Sequence, residues 1–171
     1  LSDLSAQFVT LAADQVDAAI EDAQRRVCEC LDLDISALWQ WSPANPGSQT
    51  LTHIYRRLPG PPVPTQMDAR EHFPWCLEQL TAGRQVRAAS IEETPPEAAR
   101  DREVWRHFGV KSALTIPLST GGRPPVGFLG FNTLEVERSW PEELVQRVRL
   151  IAEVFAGALE RKNAEQELRT S

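Results

Sequence analysis

The apolar positions repeat at helical spacing at both ends of the chain and at strand spacing between them. From Asp3 to about Leu31 there is neither Gly nor Pro, and Leu4, Phe8 and Leu11, then Val16, Ile20, Ala23, Val27 and Cys30, fall three and four apart. That pattern predicts one long helix over 1–31 with a single apolar stripe. Near the other end Leu144, Val148, Ile151, Phe155, Ala158 and Lys162 keep the same spacing and predict a second long helix over 139–168. Ser139-Trp140-Pro141-Glu142 has the form of a capping box that opens it. Trp140 is expected to pack the start of that helix. Beyond Glu160 the chain reads ERKNAEQELR, a polar stretch expected to run on as a linker helix.

The middle alternates. Ile35 to Trp41 reads as a strand, Ser42 to Ser48 as a turn dense in Pro, Asn and Gly, and Thr50 to Arg57 as the antiparallel partner. Leu58 to Thr65, LPGPPVPT, fits neither a helix nor a central strand and is a loop. Pro74 suits the first turn of a short helix that stops at Gly83. Gln85 to Ala89 is a short strand. Thr94-Pro95-Pro96-Glu97 forms another capping-box pattern, opening a helix from Pro95 to about Phe108 that Gly109 ends. Lys111 to Leu118 and Val126 to Leu134 are strands joined through Gly121-Gly122, and Gly127 and Gly130 mark places of close approach.

With 171 residues, 42% of them hydrophobic, the chain fits one substantial core, so a single domain is expected. A formal charge of −6 with a pI near 5.1 repels phosphate backbones and anionic lipid, which excludes nucleic acid and membrane surfaces as direct partners. The longest apolar run falls short of the roughly 18 residues of a spanning helix, and no leader opens the chain, so a cytoplasmic location is expected. Leu1 at the start and the open helical end read as a piece of a longer protein.

Three cysteines, Cys28, Cys30 and Cys76, make neither a disulfide framework nor a zinc pattern, and no metal site is expected. The residue order offers no Ser-His-Asp set, no phosphate-cradling Gly loop and no pair of carboxylates with a defined role. His53, His72 and His107 are the candidates for an axial ligand, with His107 read as an ordinary imidazole on an amphipathic helix. Arg100, Arg102 and Arg106 offer cations, on a helix dense enough in Asp and Glu to be simply solvated.

Three segments, FPWCLEQLTAG, PPEAARDREVWRHFGVKSALTIPL with its Arg-x-x-x-x-x-x-Gly-Val-x-Ser cadence, and GFLGF followed by WPEELVQRVRLIAEVFAGALERKNAE, closely resemble the GAF domain of bacterial signalling proteins. The resemblance runs from about Ala13 to Lys162. It implies an α/β (α+β) fold: a central antiparallel sheet over 35–134, the terminal helices bundled on one face, and short helices and loops over a pocket on the other. It also implies a non-catalytic sensory domain that binds a small molecule and relays its state through the terminal helices to a covalently linked output domain, a histidine kinase by preference. Trp39, Trp75, Cys76, Trp105 and Phe108 are the candidate ligand-binding residues, each of which could equally be core. Leu144, Val148, Ile151 and Phe155 are the candidate relay and homodimer seam. No cofactor is evident in this reading: bilin is set aside because Cys76 lies between Trp75 and Leu77 rather than beside His, and haem because His107 reads as an ordinary imidazole rather than an axial ligand. A ligand-free dimerisation and relay module, and a thiol redox sensor or enzyme built on Cys76, are the alternatives.

Overall fold

The computed structural model describes residues 4–170. Its elements run α1 (Leu4–Val9), a 3-10 turn (Ala13–Gln15), α2 (Val16–Leu31), β1 (Ile35–Ser42), β2 (Asn45–Arg56), β3 (Gln66–Asp68), α3 (Ala69–His72), α4 (Pro74–Thr81), β4 (Val86–Ala88), α5 (Ala99–His107), β5 (Ser112–Leu118), β6 (Gly127–Thr133) and α6 (Glu142–Thr170). The strands form one sheet in the order β3-β2-β1-β6-β5-β4, every neighbour antiparallel. This is the expected mixed helix and antiparallel sheet architecture.

Period-two alternation sorts the sheet into two faces. Leu38, Leu114, Ile116, Leu118, Leu129 and Phe131 are almost fully buried in the core that includes Ile20 and Val27 of α2 and Val148 and Phe155 of α6. Ala37, Trp39, Thr115, Phe128 and Gly130 point the other way, under α3, α4 and α5. Gly127 is where the sheet needs closeness: a Cβ there would lie 2.3 Å from the Trp39 carbonyl oxygen.

Four local expectations change. The helix predicted over 1–31 breaks at Ala12, whose backbone is extended (φ −71°, ψ 156°) and whose amide donates to Gln15 Oε1 at 3.2 Å. One straight cylinder cannot serve both partners: α2 packs on β1 and β2, while α1 turns to set Phe8 against Phe155 of α6, ring centroids 5.5 Å apart. The Ser42–Ser48 turn shrinks to Pro43-Ala44, and β2 begins at Asn45. Pro46 is tolerated because it lies in the irregular stretch between the Gln40–Thr50 and Ser42–Asn45 pairs, where no ladder bond needs its nitrogen. The short β3 and α3 follow the proline-rich loop, with the Asp68 carboxylate accepting from the Arg70 amide at 3.0 Å. Thr94 does not cap the helix after it: its hydroxyl donates to the Ile91 carbonyl at 2.6 Å, and two prolines divide the region into a 3-10 turn (Pro96–Ala98) and α5. Trp140 does pack the start of α6, buried with Nε1 donating to the Ala88 carbonyl at 3.0 Å.

A charged bridge ties the sheet to the helical layer. His53 of β2 is buried, with Nε2 2.7 Å from Asp17 Oδ1 and Nδ1 2.7 Å from Thr52 Oγ1. A carboxylate only accepts, so Nε2 donates. From α6, Lys162 Nζ donates to both Asp17 oxygens, at 3.0 and 2.8 Å. Burial opposes ionisation of Asp17, but the hydrogen bonds from Lys162 and His53 outweigh it and hold its pKa below the ordinary value.

The residues assigned to the α6 seam face inward. Val148, Ile151 and Phe155 are buried against the sheet and Leu144 packs at the edge of that core, whereas Leu150 on the outer face is 60% exposed. Phe155→Ala is therefore expected to cost about 3–5 kcal/mol of stability in urea unfolding, through cavity formation. Leu150→Ala should stay within about 0.5 kcal/mol of the unaltered chain.

Candidate functional site

Between the sheet and the short helices lies a cavity of about 680 Å³. Its floor is one row of the register, Ile54–Ala37–Gly130–Thr115, running across β2, β1, β6 and β5. Ala, Gly and Thr leave that row low, and the walls rise around it from Trp39, Phe73, Leu80, Trp105 and Phe128. Phe73 and Trp105 meet at 5.6 Å between ring centroids, inclined at 58°. The mouth is polar, with Arg56, His72, Arg100 and Glu103. Small floor, aromatic walls and a few polar groups are the composition of a small-molecule site.

The lid owes its shape to a few local signals. Pro74 starts α4, and Gly83 and Gly109 take the left-handed conformation, at φ +80° and +75°, just after α4 and α5. The first turn of α4 has no cap of its own. Asp101 of α5, fully buried, supplies one from outside: its carboxylate accepts from the Trp75 amide at 3.2 Å and the Cys76 amide at 2.9 Å. Burial pushes the Asp101 pKa up, and those amide bonds pull it back only in part. This contact locks the two lid helices together.

Of the five candidate ligand residues, Trp39, Cys76, Trp105 and Phe108 line the cavity. Trp75 is half-buried among the apolar residues of the lid instead. Cys76 is buried, and desolvation followed by the negative charge of Asp101 raises its thiol well above the ordinary value. That suppresses the thiolate on which nucleophilic chemistry depends. Cys28 sits in the opposite, helical layer, its thiol pushed up to about 12 by burial and by Asp34, and Cys30 is exposed. His72 and His107 line the cavity and His53 does not. Arg100 is at the mouth, bound to the Glu71 carbonyl at 3.1 Å and Glu103 at 2.9 Å. Arg102 and Arg106 are spent on Thr94 and Glu92. Among the described residues no cluster of His, Cys, Asp and Glu could hold a metal.

Residue-by-residue reading missed Gln49, Phe73 and Thr115 as lining residues. Alternation already put Thr115 on the face of Ala113 and Pro117. What it could not say was which face is hollow.

The two raised thiols set a pH dependence with a definite sign. Folded, they keep protons that the unfolded chain releases above the ordinary thiol value of 9.0, so their contribution is complete below that pH and is lost as pH rises beyond it. Urea midpoints should fall between about pH 8 and 10.5, and Cys28→Ala with Cys76→Ala should make that fall shallower than in the parent. An unchanged slope would remove the thiols as its source.

Comparison with known proteins agrees with this geometry. The GAF domain profile matches residues 7–159. No curated protein matches. Among solved structures, the phycocyanobilin-bound GAF domain of a cyanobacterial phytochrome superposes with a TM-score of 0.77 at 16% identity, covering 96% of each chain. The GAF region of a putative membrane protein from Geobacter sulfurreducens PCA gives 0.70 at 16%, covering 85% of this chain and 93% of that one. Free methionine-R-sulfoxide reductase from Neisseria meningitidis, in complex with its substrate, gives 0.72 at 13%, covering 96% and 88%. At such identities the likeness is one of fold. The expectation that set bilin aside is corrected: a domain of this fold carries phycocyanobilin, and bilin binding is possible in this family. GAF domains are sensory modules in general, and the reductase is a relative that is an enzyme. No helix among the described residues is long and apolar enough to cross a membrane. With the profile spanning residues 7–159, the chain belongs to the GAF domain family.

Proposed function

We propose that this domain is a non-catalytic sensor that binds a small molecule in the cavity between sheet and lid and passes its state through α2 and α6 to an output domain, by preference a histidine kinase. The observation that carries this reading is the cavity itself: about 680 Å³, apolar-walled, and closed on one side by the sheet that α2 and α6 back. An occupant can bias the helices only by binding two arrangements of them with different affinity. The buried, proton-holding Cys76 supports binding over thiol catalysis. A homodimer would use the outer face of α6, around Leu150, since the inner face is taken by the sheet.

Bilin comes within the range of ligands on the strength of the phycocyanobilin-bound relative. The cavity falls in the size class of pockets that enclose whole cofactors. Trp39, Trp105 and Phe128 would flank a flat conjugated system, and Cys76 is the thiol in the lining. A bilin would supply light absorption there, and thioether formation would require the Cys76 thiol to give up its proton.

Native mass spectrometry of the freshly purified domain should show a dimer carrying a discrete additional mass, which Gly130→Leu, by filling the floor, removes. Incubation with phycocyanobilin, read by visible absorption before and after acid denaturation, separates non-covalent from covalent uptake. A clean ligand-free spectrum that no added bilin alters would shift the assignment to a structural relay module.

A further inference from the structure

Two polar atoms inside the cavity have no protein partner. Thr115 Oγ1 and Gln49 Oε1 are both enclosed, their residues 7% and 1% exposed, and neither makes a hydrogen bond among the described residues. Both residues line the cavity. An enclosed polar group without a partner costs more than the bond it would make, so such atoms are expected where a ligand or water completes them. Gln24, Ser36 and Thr133 hold the other orphaned atoms, but Ser36 and Thr133 alternate with Ala37 and Asn132 and so belong to the helix-facing side.

The spacing of the two cavity atoms carries the argument further. Gln49 is on β2 and Thr115 on β5, with β1 and β6 between them. Three inter-strand steps put their backbones about 14 Å apart. Trp39 and Phe128 are paired on β1 and β6, in the middle of that span. The charged groups at the mouth are already engaged: Arg100 by Glu103 and the Glu71 carbonyl, Arg56 by the Leu58 and Pro61 carbonyls. Carbonyls leave the positive charge of Arg56 uncompensated, so an acidic group at the mouth would find a cation there.

Resting on the reading of this cavity as a ligand site, we infer that its ligand is an elongated, flat, largely apolar molecule with a hydrogen-bonding group at each end. The end that meets Gln49 is a donor, because the amide oxygen only accepts while Nε2 is bound to the Pro46 carbonyl at 3.2 Å. The end that meets Thr115 can donate or accept, since a hydroxyl does both. The aromatic middle lies against Trp39 and Phe128.

The test uses three probes of one shape: trans-stilbene, its para-monophenol, and the diphenol with one hydroxyl on each ring. Titration calorimetry on the intact domain should rank them diphenol, monophenol, stilbene, each hydroxyl adding roughly three- to tenfold in affinity. Thr115→Val and Gln49→Met should each reduce the diphenol to the affinity of the monophenol and leave stilbene unchanged. Equal affinities for all three probes would overturn the two-ended ligand while leaving the cavity as a binding site. Absence of binding by all three would overturn the two-ended ligand, while the cavity as a binding site would stand or fall on the co-purified mass and phycocyanobilin uptake. The ranking in the unaltered protein decides the matter even if a variant fails to fold.

Discussion

The alternation of the sheet is the constraint from which everything else follows. The central strands bury one face against α2 and α6, and they do so with Leu38, Leu129, Phe131, Leu114 and Ile116. The opposite face is then free of that duty. Along one row it carries Ala37, Gly130 and Thr115, residues too small to fill the space beneath a lid that stands on Phe73, Trp105 and Leu80. A cavity is thus a consequence of large side chains on one face and small ones on the other, and the ring contact between Phe73 and Trp105 keeps the lid standing over it. The larger of the two apolar clusters lies on the helical side, which leaves the other side room for a ligand.

Much of this was legible in the chain. Pro74, Gly83 and Gly109 mark helix limits because their backbone preferences act locally, whatever the tertiary setting. The strands around Trp39, Thr115 and Gly130 were legible through period two, and the motifs around Trp75 and Trp105 carried the family. What failed had competing partners. Thr94 has the sequence of a cap, yet its hydroxyl serves the Ile91 carbonyl and accepts from Arg102. The stripe over Leu4 to Cys30 implies one helix, but two packing directions divide it at Ala12. Spacing in α6 identified an apolar face without naming its partner, and the sheet claimed Val148, Ile151 and Phe155. Gln49 and Thr115 gave no local signal, since a buried polar residue looks in sequence like an exposed one.

Asp101 explains why the lid is a unit rather than three loose pieces. The first amides of α4 would be orphaned under a buried helix start, which is costly. Supplying the acceptor from α5 satisfies them and joins the two helices through a charged group that burial makes expensive to leave unpaired. Burial chiefly keeps Cys76 protonated, and the same carboxylate adds to it. One side chain therefore joins the lid helices and reinforces what burial does to the cysteine beneath them.

The opposite face carries the matching link toward α6. Ile54 belongs to the cavity floor, and its neighbour His53 points through the sheet to Asp17, which Lys162 grips from α6. The irregularity between Leu38 and Trp39 in the β1–β2 register lies beside this pair, where the strand most readily changes its twist. Apolar contacts between α6 and the sheet tolerate sliding; a two-point ion pair to a carboxylate already fixed by His53 does so less. Beyond Lys162 the residues of α6 are exposed. Lys162 is therefore a point at which β2 and α2 hold this helix near its exposed end, and a rearrangement that reached β2 would be felt there as well as along the buried length of α6.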